Sequence, residues 1–297
     1  MMGREGNWYT LWGIFFWKSS SQKERRKMIK ILVLACLASV ALAKVLDVPS
    51  LHDFIDGVDM LQREEGVSQY FESRIVGGAT AAPGQFPYQA SLRTTGNAHF
   101  CGGFIANNRW VVSAAHCTIN RTPANTVVVL GAHSRTTGGT TFALSTIVNH
   151  PDYHAPTIAW DVCVLQTTET IAFTNLIQPI PLGSEFIGGG ATAVVSGWGL
   201  TSSPGSLAAN LQFVHVQTWN NPACRDALGA SGDMVFDHKI CAGGVEGQGV
   251  CSADSGGPLA IGNSAIGIVS WGVPCARGFP DGYDRVSYHR SWILQYI

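Results

Sequence analysis

Ser255 lies in a stretch whose residue types suit a nucleophile. Residues 250–258 read Val-Cys-Ser-Ala-Asp-Ser-Gly-Gly-Pro, so an acid precedes this serine and two glycines follow it. The glycines permit a tight turn that brings the backbone close to a substrate, and a hydroxyl attacks a carbonyl carbon once a base removes its proton. Glycine-serine clusters are also common in ordinary loops. The stretch therefore indicates nucleophilic catalysis only if other parts of the chain supply the base and its orienting acid.

Two upstream residues can supply these partners. His116 ends the apolar stretch 110–115, and the adjacent Cys117 would fix its backbone. Asp161 interrupts the apolar run 158–165, where a carboxylate is costly to bury unless it accepts hydrogen bonds; a histidine N–H is the obvious donor. The alternatives are a histidine that only packs in the core and an aspartate that faces water at a strand edge. The neighbouring tryptophan disfavours the second alternative.

A cleavable junction lies before His116, Asp161 and Ser255 in the chain. Residues 73–78 read Ser-Arg-Ile-Val-Gly-Gly, a basic residue followed by a β-branched pair and two glycines. Cutting after Arg74 would create a new ammonium group on Ile75. Because residues 44–74 contain no cysteine, a disulfide could not tether the released piece.

The N-terminal part of the chain has the pattern of a secreted precursor. Residues 28–43 have a basic start, an apolar centre and an Ala-Leu-Ala ending, which predicts a signal peptide too short to anchor in a bilayer; a buried helix is the alternative. Residues 1–27 are a doubtful extension, because Met28 suits the true start; if Met1 is used, they form a longer leader or a membrane-inserted end. The acidic segment 44–74 predicts either a short amphipathic helix or a mobile tail.

Composition limits the classes of partner. The 297-residue chain is 46% hydrophobic and 13% charged, with a formal net charge of −1, so charge does not favour nucleic acid or anionic membranes. Removing Cys36 with the signal leaves an odd number of cysteines in an oxidising compartment. Their spacing alone leaves the pairing open.

Short apolar or alternating runs, separated by Gly, Pro, Asn and Ser, predict an all-β barrel or sandwich. Only the end of the chain, 286–297, has helical spacing. Glycines 188–190 mark a division between two halves. Examples of these runs lie at 88–92, 110–113, 126–130, 142–148, 193–196, 211–216 and 265–271.

Four motifs in one order resemble the chymotrypsin family of serine endopeptidases, within the trypsin superfamily. They are Ala-Ala-His-Cys at 114–117, Gly-Trp-Gly at 197–199, Asp-Ser-Gly-Gly-Pro at 254–258 and Ser-Trp-Gly at 270–272. The resemblance covers residues 75–297. It implies an all-β protease domain of two packed antiparallel six-stranded β-barrels with a C-terminal α-helix and the active site between the barrels.

The resemblance also implies the role of each residue. Ser255 attacks the peptide carbonyl, His116 moves the proton, and Asp161 holds the imidazole tautomer and stabilises its cation; the general account of this triad is drawn from this very family. The oxyanion hole consists of the backbone N–H groups of Ser255 and of Ala253, where relatives usually have glycine. A methyl group does not remove an N–H, so we expect reduced or normal activity if alanine tolerates the required backbone angles.

Activation and disulfides follow from the same resemblance. Residues 44–74 become an activation propeptide, and the new Ile75 ammonium pairs with Asp254, so the uncut precursor is inactive. Cys163 stays free as a small apolar core residue. The implied disulfides are Cys101–Cys117, Cys224–Cys241 and Cys251–Cys275.

The substrate pocket departs from a trypsin-like pattern. In the family, the residue six positions before the serine lies at the pocket floor, where aspartate selects Lys or Arg; here it is Gly249, followed by Val250. Gly272 leaves the entrance open to a large side chain. Ser270, Trp271 and Gly272 should pair with the substrate backbone as an added strand.

Asp281 resembles a pocket aspartate of brachyurins, the crab-collagenase type, and of many insect gut chymotrypsin-like proteases. That resemblance implies a preference for Phe, Tyr or Leu, with secondary acceptance of Arg or Lys. The alternative is an ordinary Pro-Asp-Gly turn at 280–282.

The predicted protein is a monomeric zymogen, secreted to the extracellular space or gut lumen, and it needs no cofactor and no metal. The loop 131–144 contains no acids, so no calcium site is expected. Expected partners are polypeptide substrates, an activating trypsin-like protease and protein protease inhibitors, with no nucleic acid. The alternatives are a weak or inactive homologue that acts as a binding protein, and a selective signalling protease.

Overall fold

The computed structural model describes residues 77–202, 204–273 and 275–297. The predicted N-terminal extension, signal peptide and propeptide therefore lie outside the described residues. Arg74 and Ile75, which form the predicted activation junction, also lie outside them. None of the helices in the described part of the chain is long and apolar enough to cross a membrane.

The first half of the domain forms a closed barrel of antiparallel strands. The strands follow the order β2-β3-β4-β7-β6-β5 around the barrel. A short strand β1, Ala79–Thr80, precedes it and pairs with the second half of the domain. The barrel strands are β2 (Gln89–Thr94), β3 (His99–Ile105), β4 (Trp110–Ser113), β5 (Thr126–Leu130), β6 (Thr140–Asn149) and β7 (Cys163–Thr167).

The second half forms a similar sheet that closes on itself. The order is β9-β10-β13-β12-β11-β8, pairing between β8 and β9 completes the ring, and β1 adds to β9 at its edge. Two six-stranded antiparallel barrels confirm the predicted all-β fold. The strands are β8 (Thr192–Gly197), β9 (Gln212–Trp219), β10 (Lys239–Gly243), β11 (Pro258–Ile261), β12 (Ser264–Trp271) and β13 (Pro280–Arg285).

Apolar side chains fill the inside of each barrel. In the first barrel, Leu92, Phe104 and Leu165 are fully buried. In the second, Val195 and Leu259 are fully buried, and β9 alternates between buried and more exposed residues along its length, as expected when one face of a strand meets the core. The connection that contains glycines 188–190 runs between the barrels, as the sequence predicted.

The described part of the chain contains three α-helices: α1 (Ala115–Thr118), α2 (Asn221–Leu228) and α3 (Val286–Ile293). The expectation that only the end of the chain is helical was wrong. Pro222 occupies the first turn of α2, where its missing N–H costs nothing, and the buried Cys224 anchors this short helix through a disulfide. Helix α3 ends at Ile293 rather than continuing to residue 297.

The structure contains the three disulfides that the resemblance implied. Cys101 pairs with Cys117, Cys224 with Cys241, and Cys251 with Cys275. Cys163 is a free, buried thiol that donates to the carbonyl oxygen of Ala114 at 3.3 Å, and burial raises its pKa to about 12.

Candidate active site

Asp161 and His116 meet at the edge of the first barrel. The Asp161 side chain is fully buried and accepts three hydrogen bonds. The His116 backbone N–H donates to Oδ1 at 2.8 Å, the His116 ring Nδ1 donates to Oδ2 at 2.7 Å, and Ser270 Oγ donates to Oδ2 at 2.7 Å. Because Nδ1 carries the proton, Nε2 of a neutral imidazole remains free to accept one. This is the buried, satisfied carboxylate that the sequence predicted.

The backbone of Ser255 is tied to strand β3 of the first barrel. Its carbonyl oxygen accepts a hydrogen bond from the Gly102 N–H at 2.8 Å. Gly102 follows Cys101, whose disulfide partner Cys117 comes directly after His116. Among the described residues, the Ser255 hydroxyl has no hydrogen-bond partner. Such contacts are often loose in a site without substrate and tighten in the complex.

The backbone around Ala253 leaves two N–H groups available. Ala253 has φ +73°, a left-handed conformation that glycine adopts more readily than alanine. Within the described part of the chain, no acceptor pairs with the backbone N–H of Ala253 or Ser255. Alanine therefore keeps both donors in place, at the cost of backbone strain.

His99, which was not among the residues predicted from the sequence, contacts the carbonyl group of Ala253. Its Nε2 lies 3.1 Å from the Ala253 carbonyl oxygen, and its Nδ1 lies 2.8 Å from Ser91 Oγ. Burial lowers the pKa of His99 to about 4, so the ring is neutral at pH 7. A carbonyl oxygen only accepts, which makes Nε2 the donor and Nδ1 the acceptor from Ser91. In the sequence, His99 belongs to no recognised motif and to none of the apolar runs named above.

Relieving the strain at Ala253 should stabilise the protein. A left-handed conformation costs an L-residue roughly 1–2 kcal/mol, and glycine avoids this cost. Part of the gain is offset because glycine makes the unfolded chain more flexible. We expect Ala253→Gly to raise the free energy of unfolding by up to about 1 kcal/mol. Urea denaturation measures the change. The control is Ala209→Gly, at an exposed alanine outside the left-handed region, which should lower the free energy of unfolding. If both substitutions destabilise the protein, the prediction that the Ala253 backbone is strained is wrong.

Asp254 is fully buried beside Ser255 and has no charged partner among the described residues. Its carboxylate accepts backbone N–H groups from Gly199 at 2.7 Å and Cys251 at 3.1 Å. Burial raises its pKa to about 7 although these hydrogen bonds oppose the shift. A Cβ at Gly197 or Gly199 would collide with the carboxylate, which explains both glycines of the Gly-Trp-Gly motif. The buried acid is suited to an incoming cation.

A pocket opens beside Ser255, between the loop before it and the end of β12. Trp271 and Gly272, two of the predicted substrate-binding residues, line its side. Neither Gly249 nor Asp281 lines it directly. The other lining residues are Val250, Cys251, Ser252, Ser255, Val269, Ser270 and Cys275.

Asp281 lies just behind this pocket, in strand β13, so the alternative of a simple turn was wrong. Its Oδ2 accepts the Val250 N–H at 3.1 Å, and only 2% of the residue is exposed. A Cβ at Gly249 would lie 2.8 Å from Oδ2, and one at Gly272 would lie 2.5 Å from Oδ1. Both glycines therefore make room for this carboxyl group. Burial raises its pKa to about 8.

Comparison with known proteins agrees with this geometry. The sequence profile of the Trypsin family matches residues 75–293. The chain is 34% identical to Trypsin alpha-4 of Lucilia cuprina, over 90% of this chain and 98% of that protein. It is 38% identical to Trypsin theta of Drosophila melanogaster, over 75% of this chain and 86% of that protein. Trypsin delta of Drosophila erecta is 36% identical, over 78% of this chain and 91% of that protein. The chain therefore belongs to the trypsin family and is a serine endopeptidase with the chymotrypsin-like fold.

Proposed function

We propose that Ser255, His116 and Asp161 hydrolyse peptide bonds through an acyl-enzyme. The observation that carries this assignment is the 2.7 Å hydrogen bond between His116 Nδ1 and the buried Asp161, which orients the ring so that Nε2 of the neutral imidazole can accept a proton. His116 Nε2 takes the Ser255 proton as the hydroxyl attacks the carbonyl carbon, and returns it to the leaving amine. Water then attacks the acyl-enzyme, with His116 again moving the proton, and the new carboxyl end is released.

The unpaired N–H groups of Ala253 and Ser255 stabilise the oxyanion that forms in each step. Because these donors are already in position, they stabilise the developing negative charge without the cost of reorienting during the reaction. The hydrogen bond from His99 to the Ala253 carbonyl oxygen fixes the Ala253–Asp254 peptide, which lies between these two donors along the chain. This supports an active enzyme over a non-catalytic homologue.

Cleavage after Arg74 switches the enzyme on in this proposal, and the chain is secreted as a zymogen. The new Ile75 ammonium supplies the cation that the buried Asp254 lacks among the described residues. A trypsin-like protease performs the cut, because the bond follows an arginine. Digestion of dietary protein, in a gut lumen, is the role that suits broad cleavage of polypeptides, and protein protease inhibitors would block the same cleft.

Asp281 sets a mixed specificity. With Gly249 in place of an acid, the floor of the pocket accepts large apolar side chains. The Asp281 carboxyl group lies behind this floor and, with a pKa of about 8, is mostly neutral at pH 7. A basic side chain in the pocket would favour its ionised form. The enzyme should therefore prefer Phe, Tyr or Leu before the cut and accept Arg or Lys less well.

The test compares peptides that differ only in the residue before the cut, using the full chain cleaved after Arg74. Between about pH 7 and pH 9, the ratio of kcat/KM for Arg over Phe should rise up to about tenfold, because Asp281 loses its proton over this range. The ratio removes pH effects that both peptides share. Asp281→Asn should lower the ratio and make it flat with pH.

The outcomes separate the parts of the proposal. Strict cleavage after Arg or Lys would contradict the mixed specificity and leave the hydrolytic mechanism standing. Absence of any cleavage after correct processing would contradict the mechanism itself.

A further inference from the structure

A buried lysine, Lys239, lies behind the residues already described. Both Lys239 and Asp284 are fully buried, and strand pairing between β10 and β13 places them directly opposite each other. Lys239 Nζ lies 2.5 Å from Asp284 Oδ2, 2.6 Å from the Ile158 carbonyl oxygen and 3.0 Å from Ser270 Oγ. An ammonium group has three hydrogens, so these three acceptors use all of them. This complete pairing is what makes a buried lysine tolerable.

The ammonium group fixes the direction of the Ser270 hydroxyl. Since Lys239 can only donate, Ser270 Oγ must accept its hydrogen. The single hydrogen of Ser270 then goes to Asp161 Oδ2, 2.7 Å away. The same Asp161 oxygen receives the His116 Nδ1 hydrogen at 2.7 Å. A directed chain of hydrogen bonds thus runs from Lys239 through Ser270 to the carboxylate that orients His116.

Asp284 keeps the lysine in this position. Its second oxygen, Oδ1, lies 2.8 Å from His289 Nε2 and 3.3 Å from His238 Nδ1. Trp160, the residue before Asp161, packs against both of these rings at 5.6 Å and 4.9 Å between centroids. The two histidines and Asp284 could also suggest a metal site. The ammonium group bound to the same carboxylate opposes a further cation there.

We propose that Lys239 is a positioning residue for peptide hydrolysis. Anchored by Asp284, it commits the Ser270 hydroxyl proton to Asp161 and so holds this carboxylate in the orientation that binds His116 Nδ1. The inference rests on the proposed roles of His116, Asp161 and Ser255. It adds to them a charged group that never touches the substrate.

The test replaces Lys239 with methionine in the full chain, cleaved after Arg74, with a phenylalanine peptide as substrate. One hydrogen bond to the reacting assembly is lost, so kcat should fall about three- to tenfold while KM stays within about twofold. Arg225→Met is the control: it breaks an ion pair with the exposed Asp237, outside the proposed machinery, so kcat should stay within about twofold.

A double-mutant cycle with Ser270→Ala tests the route of the effect. Without the Ser270 hydroxyl, Lys239→Met should change kcat by less than about twofold, because the relay is already broken. An equal loss in both backgrounds would show that Lys239 does not act through Ser270.

Lys239→Met leaves Asp284 without its partner, and this single variant could fail to fold. The double variant Lys239→Met/Asp284→Asn removes both charges together. It should fold with a melting temperature near that of the wild type and show the same fall in kcat. A folded variant without Lys239 that retains the wild-type kcat would overturn the inference, as would an equal fall in kcat in Arg225→Met. If the processed wild-type chain itself hydrolyses nothing, the proposed function fails instead, so the two failures are distinct.

Discussion

Ser255→Ala should reduce kcat on the order of 10⁶-fold, the size of the loss when another serine protease loses its nucleophile. Alanine removes the attacking oxygen but leaves the backbone N–H groups of residues 253 and 255 in place. The residual rate should therefore remain above that of uncatalysed hydrolysis, because oxyanion stabilisation and substrate binding persist. Burst kinetics with an ester substrate, together with labelling by a fluorophosphonate, measure the loss of the acyl-enzyme.

The matched control for this experiment is Ser184→Ala. Ser184 is an exposed serine on the connection between the barrels and lies outside the pocket. This variant should keep the wild-type kcat and react with the fluorophosphonate as the wild type does. Labelling of a serine other than Ser255, or normal turnover by Ser255→Ala, would show that Ser255 is not the nucleophile.

Preventing the cut after Arg74 should have the second largest effect. Arg74→Gln removes the basic residue that a trypsin-like activator recognises, so Ile75 keeps its peptide bond and Asp254 receives no ammonium partner. Breaking a buried ion pair costs about 3–5 kcal/mol, which corresponds to a loss of activity of roughly 10²–10⁴-fold if the pair organises the Ser255 loop. Hydrolysis rates before and after treatment with the activator, for both chains, give the measurement.

A second substitution checks that the ion pair, and not the cut alone, carries this effect. Asp254→Asn should be cleaved normally yet remain poorly active, because the amide has no charge to pair with Ile75. The asparagine amide would also turn its NH₂ group, which can only donate, towards the N–H of Gly199 or Cys251. Both of these N–H groups need an acceptor. High activity in the uncut precursor, or in cleaved Asp254→Asn, would disprove activation by this pair.

The strands that could be predicted from the sequence are those with uniform apolar patterns. The limits predicted for β4 and β5, 110–113 and 126–130, are those observed. Strands β3 and β13 are harder to predict, because Gly102, Gly103 and the Pro-Asp-Gly of β13 are typical of turns. A Cβ at Gly102 would lie 3.0 Å from Gly257 Cα, so this strand needs glycine to pass under the Ser255 loop. Such a requirement comes from a distant segment and leaves no local pattern.

In the site, too, residues with a local sequence pattern could be predicted, and residues whose partners are distant in sequence could not. Asp161 could be identified because a carboxylate inside an apolar run demands a donor, and the search for one led to His116. Lys239 precedes Ile240 and Cys241 in an equally apolar strand and carries the same signal. Its partner Asp284 is 45 residues away, and only the pairing of β10 with β13 brings them together.

The buried thiol of Cys163 has a consequence for how this enzyme must mature. With a pKa of about 12, it supplies almost no thiolate at neutral pH, and its place in the first barrel keeps oxidants and other sulfurs away. In the native protein, this thiol therefore cannot reshuffle the three bridges. Before the barrel closes, however, it can react with the six cysteines of those bridges. Docking of strand β7 thus protects the bridges, because it buries the thiol that has no partner among the described residues.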